Sequence, residues 1–218
     1  MADWGKTHAV RQRLIKDGTI QIINGVDCYQ GRPIIHRDSA VIGGVYLGEV
    51  PREAIVVDFD RSPVLMNLYK TAKDRATEGG IIRKDKVLNS VFATVKEALP
   101  NQNIEGVKSI VKRYNIENDG KISLEIFIDE KTGVCRHSAL SCAGTLEMFK
   151  KEGYIKGKPS VDRNYASLPS GLEGGHAWCR YENTIGDKIA IDVTHDFMGT
   201  LEDAQKQNKW PYHRPDDY

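Results

Sequence analysis

The chain has almost no excess charge of either sign. Lys and Arg total 31 and Asp and Glu total 30, a formal net charge of +1 over 218 residues, with no block of one sign. No field therefore draws it toward nucleic acid or an anionic membrane, and neither partner is expected. Long apolar runs are also missing. No stretch is long enough to span a bilayer, and the opening "MADWGKTHAVRQRL" has no apolar signal-peptide core. Cysteine is sparse: four residues, at 28, 135, 142 and 179, with no Cys-x-x-Cys among them. In a chain this long that is not a disulfide framework, so the expected location is a reducing cytoplasm. Export without a cleaved N-terminal signal is compatible with the same sequence. There is no G-x-S-x-G, which argues against a serine hydrolase, and "GGVYLG" lacks the strand-to-helix context of a phosphate-binding loop. Repeats and low-complexity segments are absent.

What is present is ordinary for a globular protein: 40% apolar and 28% charged residues. The length allows one large domain, or one domain with an extra lobe. In the first sixty residues, "TIQIING", "RPIIH", "AVIGGVYLG" and "AIVVDF" are short β-branched runs separated by Gly, Asp and Pro. They predict a small antiparallel sheet, a β-rich lobe over 1–61. At Ser62-Pro63 the period changes. Ser62 suits an N-cap and Pro63 the first helical position, and Val64, Leu65, Leu68, Tyr69 and Ala72 share one helical face. Two more helical patterns follow, through Val87–Val95 and Ile104–Tyr114. "KISLEIFID" fits a strand or a helix. Helical spacing resumes after Gly133, Lys156 to Gly175 reads as a loop, and "HAWCRY" and "KIAIDV" read as two strands around a turn. The tail "WPYHRPDDY" is expected to be irregular.

The reactive residues sit in "TGVCRHSALSCAG". A lone cysteine is more often a small buried hydrophobe than a nucleophile. Helix geometry separates the candidates here. Cys135 falls in the first turn, near unpaired backbone N–H groups and the positive end of the helix dipole, and both favour a thiolate. Cys142 lies two turns deeper, about 10 Å along the axis, and is expected in the core. His137 is about 200° around the helix from Cys135 and is poorly placed as its base.

Partners for Cys135 come from the two downstream strands. "EGGHAW" opens a strand with His176, and "KIAIDVT" carries Asp192 near the end of the next. A hairpin centred on Thr184 sets His176 directly opposite Asp192, with Cβ atoms about 5 Å apart. A strand-end histidine or aspartate is singly more often a solvated surface group. Together, thiol, imidazole and carboxylate are the three parts that nucleophilic thiol chemistry needs: an ionised thiol, a base, and a group that fixes the base. Trp178 is expected as a wall of the site. Gly174 and Gly175 are expected to admit a substrate backbone near His176.

These motifs resemble the transglutaminase-like superfamily of papain-like cysteine enzymes. Gly133, Cys135 and Ala139 match its G-x-C-x-x-x-A nucleophile motif, His176 and Trp178 its His-x-Trp, and Asp192 and Thr194 its D-P-T. Val193 stands where Pro is common and Ile189 where Trp is common. The resemblance spans about residues 100–196. It implies an α+β papain-like core over 62–218 and a Cys135-His176-Asp192 triad. It also implies acyl transfer on a peptide or side-chain amide, with no metal and no cofactor. The oxyanion would be held by the Cys135 N–H and an upstream donor, for which Tyr114, Asn115 and Gln102 are candidates. Hydrolysis is favoured over cross-linking. Two rival readings stand beside it: the same fold used only for protein binding, and a zinc site drawn from Cys135, His137, Cys142, His176 and Cys179. The zinc ligands lack paired spacing.

Overall fold

The computed structural model describes residues 5–167 and 173–217. The architecture is mixed α+β with several small sheets. Among the described residues no helix is long and apolar enough to cross a membrane.

The chain opens with helix α1, Lys6–Lys16, inside the segment that the β-branched runs marked as sheet. The hairpin Ile20–Ile23 with Val26–Tyr29 then follows as expected. Helix α2, Pro63–Ala76, begins where the Ser-Pro signal places it: the Ser62 hydroxyl accepts the Leu65 N–H at 3.1 Å, and Leu65, Leu68, Tyr69 and Ala72 are buried. Helices α3, Val87–Ala98, and α4, Ile104–Arg113, follow the apolar period. "KISLEIFID" divides between both options: Lys121–Ser123 is a strand and Leu124–Asp129 is helix α5, capped by Ser123.

Helix α6, Cys135–Lys151, is the central element. Thirteen of its residues are buried, so it is an interior helix and not a surface one. Gly144 allows this packing. A Cβ there would meet the Phe59 ring at 2.5 Å, so the ring lies directly on the helix backbone. The core crosses position 61. Ile35, Val41, Ile55, Val57 and Phe59 pack in one cluster with residues of α2, α3 and α6. Glu147 of α6 accepts the backbone N–H groups of Val41 and Ile42, each at 2.8 Å.

Against α6 lies a four-stranded antiparallel sheet in sequence order: β1 (Lys158–Ser167), β2 (Glu173–Glu182), β3 (Lys188–Asp192) and β4 (Phe197–Thr200). β1 corrects the expected loop over Lys156 to Gly175, of which residues 168–172 lie outside the described residues. It reads poorly as a strand because its buried face is polar: Ser160, Asp162 and Asn164 are each at most 2% exposed. Those groups are satisfied by the tail after helix α7, Leu201–Lys206. Arg214 binds Asp162 at 2.5 and 2.8 Å and Ser160 at 3.0 Å, and Asn164 is held by Trp210 and the Pro211 carbonyl. The tail is irregular, as expected, but Trp210, Tyr212 and Arg214 are buried in it. Its aromatic residues close a second cluster with Trp178, Ala190 and Phe197 on the sheet face turned away from α6.

Candidate active site

The first residue of α6 is Cys135, preceded by Val134 in extended backbone (φ −142°, ψ −179°). Valine has no side-chain acceptor for the free N–H groups of the first turn. Half of a capping box still forms: the Val134 N–H donates to His137 Nδ1 at 3.1 Å. His137 is therefore turned into the protein, fully buried with its ring 4.0 Å from that of Phe127. Burial, with the charges of Arg136 and Arg52, holds its pKa well below the ordinary value, so the ring is neutral. Gly133 makes the approach to the helix possible, because a Cβ would lie 3.1 Å from His137 and 3.3 Å from Leu99.

His176 and Asp192 meet as the strand reading required, but in a different register. β2 and β3 pair Cys179 with Ile191 and Tyr181 with Ile189, which moves the hairpin centre one residue beyond Thr184. His176 and Asp192 are thus diagonal neighbours, not direct ones. A shift of two positions keeps both side chains on one face, whereas a shift of one would part them. His176 Nε2 lies 2.5 Å from Asp192 Oδ2. That leaves Nδ1 for the Cys135 thiol, with which His176 shares a hydrogen bond.

The electrostatics follow from burial and pairing. Burial pushes the Cys135 thiol up. The His176 hydrogen bond and charge, the Ala177 N–H and Arg136 together outweigh it and hold the thiol below its usual value. Burial pulls His176 down, but its bonds to Asp192 and Cys135 push it up to about 9. Burial would raise Asp192, yet hydrogen bonds from His176 and His195 hold it well below the ordinary carboxylate range. The favoured state is a thiolate beside an imidazolium, steadied by a carboxylate. Cys142 and Cys179 are fully buried in the core, where burial drives both thiols above the ordinary range. Cys28 is also buried and unpaired.

The structure adds groups that the sequence reading passed over. Asp192 Oδ2 also accepts the Tyr212 hydroxyl at 2.7 Å and lies 2.9 Å from His195 Nδ1, while Oδ1 accepts the His195 N–H at 3.2 Å. The His176 ring lies 5.0 Å from Trp210, edge to face, and 4.2 Å from His195. The dense aromatic content of "WPYHRP" was the available signal. Trp178 stacks on His176 at 6.1 Å and is 1% exposed in the second cluster, a packed wall behind the imidazole; it is not among the residues lining the cavity. Gly175 lines the cavity at Cys135; Gly174 is not among its walls.

Of the proposed upstream donors, Gln102 comes closest to the site but is occupied. Its amide nitrogen donates to Leu99 O and Ser138 Oγ, each at 3.0 Å, and its oxygen accepts the Thr194 hydroxyl at 3.1 Å. It ties α6 to the segment that follows β3. Tyr114 is 46% exposed at the end of α4, and Asn115 follows it in a left-handed turn; neither lines the cavity. The zinc ligands drawn from the sequence are not gathered, since Cys142 and Cys179 lie in the core and His137 faces inward. Among the described residues, the group close enough for a metal is His176, Asp192 and His195, whose ligand atoms lie within 4.8 Å of one another. Its carboxylate oxygen already serves three partners.

A cavity of about 170 Å³ opens at Cys135 and His176. The segment before α2 supplies its opposite wall, through Tyr46, Glu49 and Arg52. Arg163 of β1 lies 4.9 Å above the Tyr46 ring and donates to the Leu47 carbonyl at 2.7 Å. A second cavity of about 460 Å³, walled by Ile104, Val107, Val111 and Ile116, shares Arg52 and Arg136 with the first.

Comparison with known proteins yields no relative. No family model matches the chain, and no curated protein or solved structure is significantly similar to it.

Proposed function

We propose that this protein is a cysteine-dependent enzyme of papain-like, transglutaminase-like type that cleaves or transfers the acyl part of a peptide or side-chain amide. The observation that carries this reading is the hydrogen-bonded chain Cys135–His176–Asp192. In it a thiol is held below, and an imidazole above, their ordinary pKa values. A satisfied core histidine needs no thiolate partner, and a buried structural cysteine has its pKa raised, as Cys142 does.

In the proposed reaction the Cys135 thiolate attacks the amide carbonyl carbon. The C–S bond forms as the carbonyl π pair moves to oxygen. The Cys135 backbone N–H, at the start of α6, faces that oxyanion. On collapse the C–N bond breaks, and His176 gives its proton to the departing nitrogen. A thioester remains. Water then attacks the thioester carbonyl and gives a proton to His176; the C–S bond breaks, the acid leaves, and Cys135 is restored as a thiolate beside the imidazolium. Asp192 holds the imidazole in orientation throughout and stabilises its charged form. Water is favoured over a second amine as acceptor, because it needs no binding site of its own.

An activity-based thiol probe followed by peptide mapping tests the reading. Cys135 is expected to be labelled first, and His176→Ala to remove that preference. Preferential labelling of Cys28 or Cys179 sinks it. The rival reading, a thiol-bearing fold used only for binding, has the Cys135–His176 hydrogen bond against it and predicts no labelling preference.

A further inference from the structure

We infer that the acyl donor carries a carboxylate beside the amide under attack, held by Arg52 and Arg163. This rests on the thiol reading above and names the substrate class that the same site selects.

The argument is one of charge in a small space. Three guanidinium groups, Arg52, Arg136 and Arg163, line the cavity at Cys135, against one carboxylate, Glu49. Arg136 is neutralised by buried Glu53, to which its Nε donates at 2.6 Å. The thiolate and imidazolium cancel one another. Asp192 lies behind the imidazolium and is not part of the lining, so on the cavity wall itself two guanidiniums face one carboxylate, Glu49. Among the described residues neither Arg52 nor Arg163 has a carboxylate within ion-pair distance. Arg163 is held by a carbonyl and a ring face, and the buried Arg52 Nε has no hydrogen-bond partner. An unsatisfied buried donor is costly, and a guanidinium fork recovers most when it meets a carboxylate. Arg52 also stands close enough to the first turn of α6 to depress the pKa of His137 by its charge. An anion bound there lies next to the reacting thiol. The cavity volume, about 170 Å³, suits a side chain or a chain end and is too small for a cofactor.

Two sources could supply this group: a Glu or Asp side chain within a peptide, or the free carboxylate of a peptide end. The test uses two small alkylating agents that differ only in charge. Iodoacetate carries a carboxylate and iodoacetamide is its neutral counterpart. The ratio of their rates at Cys135, read by peptide mapping, is expected to exceed that of a free thiol about tenfold at low salt, and to shrink as salt is added. Arg52→Gln should lower the ratio about tenfold, one charge contact in a partly buried site, and Arg52→Lys should keep most of it. Should Arg52→Gln fold poorly, the salt dependence of the unaltered protein carries the test alone. Protection of Cys135 by acetyl-Ala-Glu-Ala-amide, against acetyl-Ala-Ala-Ala with a free carboxylate, separates the two sources. Acetyl-Ala-Gln-Ala-amide is the neutral reference. A ratio equal to that of a free thiol and indifferent to salt, or equal protection by all three peptides, overturns the inference and leaves the thiol reading intact. If neither reagent modifies Cys135, the thiol reading itself fails.

Discussion

Cys135 and Cys142 share one helix, two turns apart, yet their thiols are driven in opposite directions. Both are desolvated. At Cys142 desolvation and the negative charge of Asp192 act in the same direction, so its proton is held. At Cys135, which is less deeply buried, four influences oppose the burial cost: the His176 bond, its charge, the Ala177 N–H and Arg136. Burial alone thus makes an inert thiol. A lowered thiol pKa comes from what the fold brings to the first turn of α6 and withholds from the third.

The largest effect expected from breaking this contrast comes with Cys135→Ala or His176→Ala, each of which should abolish turnover. His176→Ala should also slow alkylation of Cys135 at and below neutral pH, because the thiol keeps its burial cost and loses the bond and charge that hold its pKa down. Asp192→Asn should lower turnover by about 10²- to 10⁴-fold. It should move the lower edge of the Cys135 alkylation profile to higher pH, since an imidazolium without its carboxylate ionises the thiol less well. Tyr212→Phe removes one of three partners from Asp192 Oδ2 and should cost about 1.5 kcal/mol of stability, read by denaturant unfolding, with a smaller loss of turnover. Cys142→Ala marks the inert end. It should leave turnover and Cys135 labelling unchanged while costing about 1 kcal/mol through the small void left in the core.

The same pairing makes stability depend on pH. His176 has a raised folded pKa, about 9. Its contribution is fully present below its unfolded value, about 6.5, and is lost as pH rises through 9. Asp192 works in the opposite sense. Its folded pKa is depressed, so its contribution is present above about 3.9 and is lost as pH falls toward the folded value. A melting curve measured across pH should therefore show a plateau between these limits, and Asp192→Asn should flatten both edges.

Much of this was legible in local sequence signals. Ser62-Pro63 marked the start of α2, the apolar period marked α3 and α4, and the spacing of Cys135, His137 and Cys142 separated an exposed thiol end from a buried one. The parity of β2 and β3 put His176 and Asp192 on one face, and this survived an error of two in register because side-chain alternation has a period of two. Other parts depended on tertiary partners. β1 buries Ser160, Asp162 and Asn164, so its pattern lacks the apolar alternation of a half-buried strand. Only the distant Arg214 and Trp210 explain why those polar groups are stable there. The opposite wall of the cleft, from Tyr46 to Arg52, sits some eighty residues before Cys135, and no local pattern announces it. The papain-like reading itself rests on three short motifs and on the geometry of the triad.

The most direct measurement is the pH dependence of iodoacetamide alkylation at Cys135, followed residue by residue. The account predicts an inflection below the ordinary thiol value that moves up in His176→Ala, and slow modification of Cys28, Cys142 and Cys179 throughout. A single inflection near 8.5 at Cys135, unchanged in His176→Ala, would contradict it.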